Sequence, residues 1–177
     1  MGPADRACLR PLPPAQGDRR TGTRGGRRIR RTGAASFELT IQNPGRRAGV
    51  GLRELRPWLT RLVSHLAPEA RSLGILLAGD AEVRRLNRRH RGIDIPTDVL
   101  SFRGGPTPEG RHLGDIVISV PTARRQAAER GDALWREIRC LLLHGILHCM
   151  GHDHESDGGI MERLEERLRR EWIGEGG

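Results

Sequence analysis

Apolar and polar residues alternate over 36–42, with Phe37, Leu39 and Ile41 set against Glu38, Thr40 and Gln42. That period of two predicts a strand with one buried face. From Leu52 the period lengthens. Leu52, Leu55, Leu59, Leu62, Val63 and Leu66 recur at helical spacing, and Pro57 either delays or kinks that helix. The run 72–79 reads as a buried strand, after which Asp80 is placed to cap a short helix through Leu86. Residues 98–102 and 113–119 predict two further strands. A Gly- and Pro-rich loop from 104 to 110 joins them into an antiparallel hairpin with a long tip.

Three helices follow. Pro121 marks a helix start and Gly131 its stop. Asp132 caps the next helix, from 133 to about Met150, whose Leu141, Leu142, Leu143, Ile146 and Leu147 point all round the axis. Such a helix is buried. The last runs from about 159 to 172 and is amphipathic, with Met161, Leu164 and Leu168 on one side. This order of elements predicts a single α+β (mixed α/β) domain. Its sheet has about four strands in mixed directions, packed by helices around a buried central helix.

A chain of 177 residues suits one domain, and no apolar run is long enough to cross a membrane. All 31 basic residues are arginine, against 22 acids, for a net charge of +9. Arginine grips phosphate in a bidentate fork, which suggests a polyanionic partner, although a G+C-rich genome accounts for the same bias equally well. With two Phe, three Trp and no Tyr, the chain cannot build a base-stacking platform. Residues 1–33 hold nine Arg and two Asp, a net of +7, and read as a disordered Arg-rich leader. It is either an electrostatic arm for nucleic acid or a dispensable extension. The folded domain is expected over 34–173. Three cysteines without a CxxC pair and the lack of a signal-peptide core point to a reducing compartment, the cytoplasm.

Four of the seven histidines fall within 144–154. His144 and His148 are four apart and share a helical face. Gly151 suits the left-handed end of a helix, after which His154 can swing back toward the first two. Three imidazoles at one point suit Zn²⁺ with its fourth position open. His152 would replace His154 if the helix continued past Gly151; the glycine favours His154. Asp153 is then a turn cap or a partner for a ligand, and Cys149 a small hydrophobe. The spacing matches the metzincin protease motif H-E-x-x-H-x-x-G-x-x-H, except that Gly145 stands where those enzymes carry the Glu that acts as base. The motif therefore indicates metal-assisted hydrolysis of something other than a peptide bond.

A second cluster, Leu86-Asn87-Arg88-Arg89-His90-Arg91-Gly92-Ile93-Asp94-Ile95-Pro96-Thr97-Asp98-Val99-Leu100-Ser101-Phe102, precedes Leu113-Gly114-Asp115-Ile116 and the histidine motif. In that order, over about 36–172, the chain resembles the YbeY family of ribosomal RNA maturation endoribonucleases; Met161 and Leu164-Glu165-Glu166 look like the family's C-terminal helix. His90 and His152 stand where the family usually has an aromatic. The resemblance implies a zinc-dependent endoribonuclease of single-stranded RNA, acting on small-subunit ribosomal RNA and in ribosome quality control. It implies one Zn²⁺ per chain on His144, His148 and His154, the ribosome or its proteins as partners, and no membrane. It puts the family's basic residue at Arg91, where a guanidinium would stabilise charge developing on phosphoryl oxygens. Arg88 and Arg89 read as ordinary cations at a helix end, Thr97 and Asp98 as turn residues, and Asp115 as structural. The rival readings are a metzincin-like metalloprotease and a non-catalytic, zinc-stabilised ribosome-associated factor.

Overall fold

A computed structural model of the chain describes residues 37–46, 49, 51–154 and 157–174. The expected leader, 1–33, lies outside them. The elements run β1 (Glu38–Gln42), α1 (Leu52–Leu66), β2 (Ala70–Ala78), α2 (Asp80–Arg91), β3 (Val99–Arg103), β4 (Pro106–Thr107), β5 (Gly110–Ser119), α3 (Val120–Glu129), α4 (Leu134–Met150) and α5 (Ile160–Trp172). The order across the sheet is β1-β2-β5-β3, with β4 added at the tip of the β3–β5 hairpin. β1 and β5 both pair parallel to β2, whereas β3 and β4 run antiparallel to β5. The expected mixed α+β sheet is present, and the two-residue β4 makes a fifth strand.

Alternation along the strands divides the interior in two. Val99, Leu73, Ile75, Leu77, Ile116 and Ile118 face the main core with α1, α4 and α5. Leu100, Phe102, Val117 and Ala78 face the other way, where Val83 and Leu86 of α2 cover them. So α2 and α4 lie on opposite faces of the sheet. α4 is the deeper of the two: every residue from Leu141 to Cys149 is buried, as its all-round apolar pattern requires.

Two expected caps are corrected. Asp80 does not cap α2, whose N-cap is Gly79; its carboxylate instead accepts hydrogen bonds from the Ser119 and Thr122 hydroxyls at the start of α3 and from Arg125. The tertiary tie between two helix starts wins over the local cap. Asp132 likewise precedes the true N-cap, Ala133, and accepts that residue's backbone N–H at 2.7 Å. α2 also runs past Leu86 to Arg91, ending where Gly92 turns left-handed at φ 73°. Pro57 does not delay α1, which begins five residues before it.

Candidate metal centre

α4 ends at Gly151, whose φ of 104° only glycine adopts without strain. The Gly151 N–H donates to the carbonyls of His148 and Leu147, and the His152 N–H also donates to Leu147. These bonds close the last turn and send the chain back across the helix end. His144 and His148 are almost wholly buried, their ring centroids 4.6 Å apart. The His154 ring returns to 5.7 Å from His144 and 5.3 Å from His148, on the exposed side. One nitrogen from each of the three lies within 4.8 Å of the others.

The outward nitrogens fix the tautomers. The Nδ1 of His148 is 3.0 Å from the carbonyl oxygen of His152, and a carbonyl only accepts, so this nitrogen carries the proton. The Nδ1 of His144 is 2.9 Å from a Glu165 carboxylate oxygen of α5 and donates in the same sense. Both Nε2 lone pairs are thereby turned inward, and the two atoms stand 3.0 Å apart. Tetrahedral nitrogen ligands at zinc distance are separated by about 3.3 Å. Burial, reinforced by the neighbouring His144 and His154, pushes the His148 imidazolium pKa down to about 4. The ring is neutral near pH 7, the form that binds metal. The donor set and its geometry fit a divalent ion with a soft-to-borderline preference and an open side toward solvent.

The helix end decides which histidine ring joins the cluster. His152 supplies its carbonyl to orient His148, and His154 supplies its ring. Cys149 packs in the core with Sγ 3.8 Å from the Phe102 carbonyl, outside the ligand group. Gly145 has a reason of its own: a Cβ there would stand 3.0 Å from the Ile116 side chain and the Ser101 hydroxyl, so this turn of α4 rests on the sheet. The position that holds the base in metzincins points into a packed interface here.

Arg91 belongs to a different element from the histidines. It ends α2 on the opposite face of the sheet, half-buried, with its Nε shielded from solvent. His90 meets the Phe102 ring edge-on at 5.0 Å, and the Phe102 carbonyl faces Cys149, next to His148. Two residues escaped the sequence reading. Glu165, 21 positions from His144, carries no local mark of its role. Although burial alone would raise its pKa, the hydrogen bonds and charges of His144 and Arg169 hold this carboxyl below its usual range. Arg103 is the other: its guanidinium lies over Gly151. That Ser101 and Arg103 share the face of β3 with Val99 was readable from strand alternation, but their neighbours were not.

A mixed α+β domain whose buried helix and following loop converge three imidazoles defines a fold with a three-histidine group that could hold a metal ion. The family model described as Endoribonuclease YbeY matches residues 41–172, and the chain belongs to that family. Membership places it among the hydrolases. It is 48% identical over 127 residues to Endoribonuclease YbeY of Solibacter usitatus, covering 70% of this chain and 82% of that one. The Geobacter sulfurreducens relative of the same description is 38% identical over 139 residues, covering 76% and 93%. That of Deinococcus radiodurans is 44% identical over 122 residues, covering 65% and 77%. A solution structure of a Thermotoga maritima protein aligns with a TM-score of 0.53 at 24% identity, over 78% of this chain and 89% of that one, and supports the fold. No helix among the described residues is long and apolar enough to cross a membrane.

Proposed function

We propose that this chain is a zinc-dependent endoribonuclease that hydrolyses phosphodiester bonds of single-stranded RNA. Its substrate is ribosomal RNA, in maturation of the small subunit and in ribosome quality control, with the ribosome or its proteins as cytoplasmic partners. The observation that carries the reading is the inward pair of Nε2 atoms, each fixed by a bond from the opposite nitrogen to Glu165 or to the His152 carbonyl. His144, His148 and His154 would hold one Zn²⁺. When bound, the ion supplies Lewis acidity and brings the pKa of its water to about 7. The chain's own residues do the rest. The buried floor of α4 keeps two ligands in place, and Arg91 meets charge on the phosphoryl oxygens.

A metalloprotease is disfavoured because Gly145 lacks the carboxylate and packs against β3 and β5. A purely structural zinc is disfavoured because α4 has packing of its own to hold it: Ile138, Leu142, Ile146 and Leu147 are buried among α1, α5 and sheet residues. The deciding experiment compares zinc content, RNA cleavage and casein cleavage for the parent and His148→Ala, with and without chelator. Zinc-dependent cleavage of RNA alone, by a protein that stays folded when stripped, is expected. Casein cleavage, or unfolding on chelation, would replace this reading with one of its rivals. Arg91→Ala should retain zinc, since a guanidinium offers no lone pair, and lose about 10²–10³ in single-turnover rate.

A further inference from the structure

β3 ends beside the ligand loop. Its residues Val99, Ser101 and Arg103 point to the α4 side, and Ser101 meets α4 at Gly145. Two residues further on, the Arg103 guanidinium lies flat on the end of α4. Its Nη1, Cζ and Nη2 are 2.8, 3.0 and 3.1 Å from where a Cβ on Gly151 would stand. Gly151 lies midway between His148 and His154 in the chain, and the next residue supplies the carbonyl that orients His148. A cation is thus seated on the segment that links the metal ligands.

Among the described residues that cation is unspent. Arg84, Arg85, Arg125, Arg130 and Arg169 each pair with a carboxylate. Arg103 is exposed and, among the described residues, its side chain makes no ion pair or hydrogen bond. Its seat is nonetheless defined. The missing Cβ of Gly151 gives the flat face room, and the negative end of the α4 dipole favours a positive charge there. A guanidinium held by its face leaves its N–H edge open, the geometry that takes two phosphate oxygens at once.

We propose that Arg103 binds a phosphodiester of the RNA strand as it passes the histidine centre, anchoring the backbone beside the bond to be cut. This rests on the reading of RNA as substrate. Arg103 and Arg91 then approach the strand from the two faces of the sheet, around the edge strand β3. A residue that only capped α4 would affect stability and metal retention and leave the salt dependence of RNA binding unchanged.

The test uses the full chain loaded with zinc and a 2′-O-methyl single-stranded RNA, which cannot be cut through its 2′-oxygen, titrated by fluorescence anisotropy at several salt concentrations. Arg103→Gln keeps a planar amide over Gly151 and removes the charge. It should weaken binding by about tenfold and flatten the slope of log K against log salt by about 0.7, the contribution of one phosphate contact. Zinc content should match the parent, and Arg53→Ala, an exposed arginine on α1, should leave the slope unchanged. Parent affinity and slope in zinc-loaded Arg103→Gln would overturn the assignment. If that variant sheds zinc, Arg103→Lys, which keeps a cation on the helix end but loses the fork, is expected to bind several-fold more weakly; parent affinity there overturns it equally. A parent protein that binds no RNA would overturn the functional reading itself, before any variant is made.

Discussion

The Nδ1 of His144 donates to the carboxylate of Glu165 at 2.9 Å, joining α4 to α5 inside the protein. Glu165 in turn accepts from Arg169, one helical turn along. The carboxylate thus fixes the ring of a candidate metal ligand and is itself held by a cation. Replacing it with Gln keeps the shape but weakens the acceptor. Glu165→Gln should lower zinc affinity by about 10–100-fold, the usual cost of losing such a partner, as measured by competition with a chromophoric chelator. Unchanged affinity would mean that the His144 ring is held by packing alone.

His152 and His154 should separate cleanly. His152 uses its backbone carbonyl, which alanine also has, so His152→Ala should keep its metal. His154→Ala removes a ligand and should lose most of it. Metal analysis of the two purified variants decides the point, and equal loss would mean that the ring of His152 takes part.

Writing the protease base into the motif should fail. Gly145→Glu would drive a carboxylate against Ile116 and Ser101, in a part of α4 with no room even for a methyl group without adjustment. The expected cost is about 3 kcal/mol or more, from steric strain and an unpaired buried charge. Denaturant unfolding of Gly145→Glu against the parent tests this. A stable variant that cleaves casein would overturn both the packing argument and the exclusion of the protease.

Ser72, His112 and Asp115 form a hydrogen-bonded row on the α2 side of the sheet, with His112 2.9 Å from the Ser72 hydroxyl and 3.2 Å from the Asp115 carboxylate. The bond to Asp115 outweighs partial burial and raises the His112 pKa above 6.5. Folding therefore binds a proton more tightly than the unfolded chain does. The resulting stability is fully present below about pH 6.5 and is lost as pH rises through the folded pKa. Following the His112 ring by NMR should show this raised value, and Asp115→Asn should lower it. An unshifted His112 in the parent would remove the row as a source of pH dependence.

Periodicity carried far for β1, α1 and α4, because each buries a face that its own residues define. The left-handed stop at Gly151, and with it the choice of His154, was legible for the same local reason. What stayed hidden depends on distant partners. Asp80 looks like a helix cap in sequence and serves a helix forty residues later. Glu165 sits in an unremarkable run of acids and bases until α5 packs on α4. That the helix carrying Arg91 packs on the other face of the sheet from the histidines depends on strand order, which the motif does not give.

His144 and His148 hang from a helix whose opening would expose the main core, whereas His154 belongs to an exposed turn beyond its end. The three rings therefore differ in how firmly the fold holds them. Two stand on a helix that opens only at the free energy of global unfolding, and the third on a turn that opens at that of a local loop excursion. Exchange of the ion with solvent is then governed by the turn at His154, on a faster clock than the rest of the centre. A chelator would have to wait only for that turn to lift, and the site it left behind would keep two nitrogens in register for the next ion.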